Sequence, residues 1–202
     1  MIFNCKTLSI AGMIGAPFLA IEMLTTDVTS SQGPQATTGW GAIMDTIYMI
    51  GWMCTILALL RSGAAGRQGW AKNVLKIQLI LLTIANLYNI WSATGIGTDT
   101  ALFRIADMIW PVSNAFMLVT GIAIIKAKVL TGWKRYAPLV AGLWLPSSII
   151  PMLIAGRAPF TLYWGLAYSA IAWTAMAFAV YKAQEQSVVY NQYGYPRLAV
   201  TE

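Results

Sequence analysis

An all-α bundle of six membrane-spanning helices, with both termini on the cytoplasmic side, is the fold this sequence predicts. Three observations carry the prediction. First, 58% of the 202 residues are hydrophobic and only 10% are charged, with a mean hydropathy of +0.64, far outside the range of a water-soluble domain. Second, the apolar residues gather into six long runs, each close to the roughly 20 residues that cross a hydrocarbon core of about 30 Å. Third, the lysines and arginines concentrate in alternate loops. Runs this continuous lack the period-2 alternation of barrel strands, so helices are the spanning form.

Helix one is expected from Thr7 to Leu24. Lys6 followed by an apolar run resembles the start of a secretory signal, but the run is long and meets Glu22 rather than a small-residue cleavage site. Its Gly12, Ala16 and Ala20 recur every four residues, the spacing that lets helices approach closely. A Thr/Ser/Gln-rich stretch from Thr25 to Thr38, too polar to be buried, leads to helix two at Gly41 to Leu60. There Asp45, Tyr48, Trp52 and Thr55 share one face.

Helix three runs from Leu75 to Gly95 and carries a polar stripe of Gln78, Leu82, Asn86, Asn89 and Ala93. In helix four, Ala101 to Ile125, steps of three and four align Arg104, Asp107, Pro111, Asn114, Leu118 and Gly121 on a face too polar for lipid. Helix five, Pro138 to Ala155, is interrupted by Pro146, Ser147, Ser148 and Pro151, and is the expected broken helix, because proline frees a carbonyl and clashes with the preceding turn. Helix six, Phe160 to Tyr181, has small-residue pairs at Gly165/Ser169 and Ala175/Ala179. Residues 1–183 thus form one transmembrane domain. Residues 184–202 form a cytoplasmic tail with Tyr190, Tyr193 and Tyr195 as docking candidates.

Orientation follows from the cations. Lys6, Arg61, Arg67, Lys72, Lys76, Lys126, Lys128, Lys134, Arg135, Lys182 and Arg197 fall on one side, and only Arg104 and Arg157 on the other. Eleven against two is the positive-inside pattern, which places both termini and the two basic loops in the cytoplasm. The net charge of +6 is therefore a topology signal rather than a nucleic-acid footprint, since it is divided between short hairpin loops. The chain has no glycosylation sequon, which suits the plasma (inner) membrane of a bacterium.

Histidine is absent altogether. That removes bis-His haem ligation, Ser/His proteolysis, zinc-dependent proteolysis and His-box di-iron oxidation from what the chain alone can do. Lysines occur only at helix ends, which removes a mid-membrane Schiff base. Gly95-Ile96-Gly97-Thr98-Asp99 misses the glycine-rich aspartate motif of intramembrane aspartyl proteases by one residue and lacks a partner aspartate preceded by tyrosine. No phosphate-binding glycine loop with a lysine is present. Cys5 and Cys54 read as inert thiols, and no cofactor or metal site is expected.

Ionisable groups inside a span are costly and mark candidate sites. Glu22, Asp45, Arg104 and Asp107 fall at similar depth under the outer surface, above Tyr48, Asn86, Asn89 and Asn114, so these eight residues are the candidate ligand-binding set. Arg104 and Asp107 neutralising each other is the plain structural explanation. Trp40, Trp70, Trp91, Trp133 and Trp164 read as interfacial belt residues, whereas Trp52, Trp110, Trp144, Tyr168 and Trp173 lie deeper and either pack helices or line a pocket for a planar lipid, quinone or amphipathic cation. Three functions remain open. They are an outward-facing pocket that binds or transports a small, cationic or proton-coupled ligand; an accessory subunit docking on a membrane partner or a second copy through small-residue faces; and, least supported, a carboxylate-based lipid-modifying enzyme.

Overall fold

The computed structural model describes residues 4–25, 39–66, 69–96, 100–156, 158–186, 189–190 and 196–197. The polar stretch between helices one and two, Arg67, Gly97 to Asp99, Arg157, Tyr193 and Tyr195 lie outside the described residues. Nine α-helices are present among those described: α1 (Cys5–Gly15), α2 (Phe18–Thr25), α3 (Trp40–Arg61), α4 (Trp70–Thr94), α5 (Ala101–Asp107), α6 (Ile109–Ala127), α7 (Ala137–Gly142), α8 (Trp144–Ala155) and α9 (Pro159–Gln186). They make up six spans long and apolar enough to cross a membrane, each within a few residues of its expected place, as a multi-pass membrane protein requires. The last helix runs on past Tyr181 to Gln186, and Val189–Tyr190 then pairs antiparallel with Pro196–Arg197.

Helix ends follow local chemistry. The Asn4 side chain accepts a 2.8 Å hydrogen bond from the Thr7 amide and caps α1. Gly95, at φ 66°, takes the left-handed turn that ends α4, a conformation in which a side chain would clash.

Three spans are discontinuous rather than one. Span five breaks at Leu143, as its prolines led one to expect, and spans one and four break at Ala16–Pro17 and at Met108. In two of them the break comes just after the residue four before a proline: Gly142 before Pro146 and Asp107 before Pro111. The proline ring displaces that carbonyl and has no N–H to offer it. Pro151 stays inside α8, and the carbonyl of Ser147 four residues earlier accepts instead from the Trp164 indole at 3.1 Å.

Consecutive spans pack as neighbours, and α9 returns to α1 and α2, so the six spans close into a ring. Glycines set the closest approaches. Gly12 lies against Thr55 and Ala177, Gly15 against Gly51, Gly121 against the Leu139 backbone, and Gly142 against Met117 and Leu118. The stripe of helix one thus serves this chain's own packing, with Gly12 and Ala16 buried.

Polar cross-links add register. Gln78, fully buried on α4, donates to the Ser113 carbonyl at 3.1 Å and accepts from the Thr120 hydroxyl at 3.3 Å, both on α6. Spans five and six are tied by three aromatic donors: Trp144 to the Gly165 carbonyl at 2.7 Å, Trp164 to Ser147, and Tyr168 to the Val140 carbonyl at 2.8 Å. The outer surface is apolar, with Ile14, Leu87, Leu153 and Ile171 exposed, as a face toward lipid requires.

Arg61, Lys72, Lys126, Lys134 and Lys182 gather at one end of the bundle, here the basic end. Ammonium groups lie over aromatic rings there: Lys6 over Tyr181, Lys126 over Trp70 and Lys182 over Phe178, at 5.5 to 6.0 Å from the ring centroids.

Candidate functional site

The half of the bundle nearer the basic end has a closed interior. Ile56, Leu59, Leu75, Met117, Ile124 and Met176 are essentially without exposure. The polar groups that reach it are hydrogen-bonded: Gln78 as above, and Thr55 to the Gly51 carbonyl at 3.1 Å.

Six buried polar side-chain atoms among the described residues, lying from the middle of the bundle toward its far end, have no hydrogen-bond partner: the Tyr48 hydroxyl and Trp52 Nε1 on α3, Asn86 Oδ1 on α4, Ser148 Oγ on α8, and Ser169 Oγ and Trp173 Nε1 on α9. Their residues are 1% to 9% exposed. At a rise of about 1.5 Å per residue they lie roughly 10 to 21 Å in from the far ends of their helices. Each such atom costs about 1–3 kcal/mol unless something pairs with it. Other buried polar groups toward the same end are paired, Ser113 and Asn114 with the Trp110 carbonyl and Trp144 with that of Gly165, so these six are exceptions to be explained.

Packing explains how they come together. Gly165, Ser169 and Trp173 recur every four residues on α9, and the absent side chain of Gly165 leaves Ser148 room to approach, 3.2 Å from where a Cβ would stand. Further in, Trp173 meets Trp52 with ring centroids 4.1 Å apart and Tyr48 edge-on at 6.2 Å, while Tyr48 and Trp52 are 6.0 Å apart. The Trp173 N–H is directed at the Tyr48 hydroxyl, yet the pair falls outside hydrogen-bond geometry.

An acidic rim lies nearer the far end than these groups. The Tyr88 hydroxyl interacts with the side chains of Asp107 and Ser92 and also feels the charge of Asp45, whose field reaches Tyr48 one turn further along α3. Asp45, Tyr88 and Asp107 therefore bring spans two, three and four together. Phe103 packs under them, 4.7 Å from the Tyr88 ring and 5.2 Å from that of Trp91.

Of the residues expected from sequence, Asp45, Tyr48 and Asp107 join this arrangement, and Asn86 contributes one of its unpaired atoms. Glu22, Asn89 and Asn114 are buried, and the Asn114 amide donates to the Trp110 carbonyl at 3.0 Å. Arg104 is exposed on α5 and makes no ion pair with Asp107, so these two do not neutralise each other. Arg104 lies on α5 and Asn114 on α6, on either side of the one-residue interruption at Met108, where the backbone stays right-handed.

Tyr88, Ser148 and Ser169 were absent from the expected set. Tyr88 belongs to the row Ala85, Tyr88, Ser92, which is spaced as regularly as the stripe through Asn86 and Asn89, and both rows are buried. In the sequence, Ser148 reads only as part of a proline-rich interruption and Ser169 only as a small residue. Among the described residues no group of three or more acidic or cysteine side chains is arranged to hold a metal ion. No family model, curated protein or solved structure matches the chain.

Proposed function

We propose that this protein is a small-molecule-binding membrane protein, a transporter or a ligand-binding subunit, whose site is the far-half interior beneath the rim of Asp45, Tyr88 and Asp107. One observation carries the reading: among the described residues six buried polar atoms on four helices are unpaired, three of them within the Tyr48, Trp52 and Trp173 trio, while other buried polar side chains such as Gln78 are satisfied. Buried polar groups of native proteins are nearly always paired, and a cluster of exceptions supports an occupant.

The dry floor of Ile56, Met117 and Met176 supports a site open toward one side only. With the termini and the basic end in the cytoplasm, as the cation distribution supports, that side is the outer one. The acidic rim favours neutral or cationic ligands, or proton coupling, over anions. An accessory role docked through small-residue faces is the second reading. It is disfavoured because Gly12, Ala16, Ser169 and Ala179 are already covered by this chain's own helices.

Native mass spectrometry of the full chain, extracted gently from its own membrane, tests the proposal. A stoichiometric small molecule retained by the wild type and by the lipid-facing variant Phe160→Leu, but lost from Tyr48→Phe, is the expected result. Heterogeneous lipid adducts that none of these substitutions alters, or a stoichiometric protein partner with no small molecule, would overturn it.

A further inference from the structure

The unpaired atoms are not a neutral sample of polar chemistry, and their kind identifies the class of occupant. An indole N–H only donates, and a phenol in this setting donates first. Trp52 Nε1, Trp173 Nε1 and the Tyr48 hydroxyl are therefore three donors within one aromatic trio, all at most 2% exposed. The hydroxyls of Ser148 and Ser169 can donate as well, which leaves Asn86 Oδ1 as the one unpaired atom that only accepts. Even if Trp173 swings onto the Tyr48 oxygen, the Tyr48 proton and the Trp52 N–H still need an acceptor.

Resting on the ligand-binding reading, we infer that the chamber takes an uncharged organic molecule with a planar, aromatic or quinoid body and carbonyl-type acceptors that meet the Tyr48 and Trp52 donors. The three rings pack on one another at 4.1 to 6.2 Å, and a planar body is the shape that inserts among such rings with the least displacement. An ammonium ligand without acceptors brings more donors to a site already rich in them. A carboxylate brings acceptors but must pass Asp45 and Asp107, whose negative charges repel it. A neutral carbonyl compound satisfies the donors and passes the rim.

Four naphthalenes of similar size separate these cases: 2-acetonaphthone, naphthalene itself, 2-naphthoate and 2-naphthylmethylammonium. Equilibrium dialysis of the full chain in lipid nanodiscs, corrected with empty nanodiscs, measures their binding. The ketone is expected to bind at least tenfold more tightly than any of the other three. Tyr48→Phe and Trp52→Phe, which remove a donor and keep a ring, each weaken the ketone about five- to tenfold and leave naphthalene unchanged. Unchanged thermal midpoints of the two variants separate lost donors from lost folding. Saturable binding in which the ammonium or naphthalene equals the ketone overturns the inferred class and leaves the site standing. No saturable binding by any probe overturns the class too. If mass spectrometry also finds no co-purifying small molecule, the ligand-binding reading falls with it.

Discussion

Gly15 and Gly51 face each other across the first two spans so closely that a Cβ added to either would stand 2.8 Å from the other's Cα. Beside them, a side chain on Gly12 would run into the Thr55 hydroxyl and reach Ala177 of the sixth span. In lipid, where apolar burial between helices brings little, such backbone approach is a principal source of packing energy.

Gly51→Ala is therefore expected to destabilise the bundle by about 1–3 kcal/mol through overpacking. Ile154→Ala, at an 82% exposed position, should stay within about 0.5 kcal/mol. Thermal unfolding in detergent measures both, and equal midpoints for the two variants would contradict the packing described for spans one and two.

Gln78 links spans three and four through Ser113 and Thr120. A double-mutant cycle of Gln78→Leu and Thr120→Val should give a coupling of about 0.6 kcal/mol, the magnitude typical of hydrogen bonds between membrane helices. Strict additivity would mean that the 3.3 Å contact contributes nothing.

Trp164 donates to the Ser147 carbonyl that Pro151 leaves without its helical partner. In Pro151→Ala, the restored N–H at position 151 competes for that carbonyl. Trp164→Phe should accordingly cost about 1 kcal/mol in the native background and markedly less in the Pro151→Ala background. The same cost in both backgrounds, measured by the unfolding midpoint, would show that the indole compensates for nothing.

Asp107→Asn keeps the side chain's size and removes a charge from the rim beside Tyr88. Because Asp107 is exposed, unfolding stability should change by less than about 0.5 kcal/mol, whereas binding of 2-naphthoate should strengthen at least fivefold relative to naphthalene. A loss of stability with no gain in carboxylate binding would make Asp107 a packing element instead.

Green fluorescent protein fused after Glu202 should fluoresce in a bacterial host, because the positive-inside pattern puts that end in the cytoplasm. Alkaline phosphatase fused at the same point should be inactive. The reverse pair of results would invert the orientation proposed above and turn the acidic rim toward the cytoplasm.

The spans, their boundaries and the separation of cations to one end were legible in the sequence, because membrane insertion is decided by length, hydropathy and charge, each a local property. Buried stripes were legible for the same reason: Asn86 and Asn89, or Tyr48 and Trp52, lie on one face by helical spacing alone. The broken fifth span could be read from its prolines, and Pro17 and Pro111 carried the same signal for the two breaks that went unexpected.

Which polar groups are satisfied was a tertiary matter. Gln78 and Asn86 occupy one stripe of one helix, yet Gln78 meets Ser113 and Thr120 while the Asn86 oxygen meets nothing. Helical spacing says that both face inward, but the partners of Gln78 sit 35 or more residues away on another helix, brought alongside by the packing of α4 against α6. Likewise Asp107 pairs with Tyr88 rather than with Arg104 three residues away on α5, since the docking of α5 on α4 outweighs spacing along the chain. The sequence by itself determined that six apolar helices are present and which faces turn inward, through periodicity and charge; only the three-dimensional meeting of those faces decided which hydrogen-bonding groups were left unpaired, because a donor's partner depends on distance in space and not along the chain.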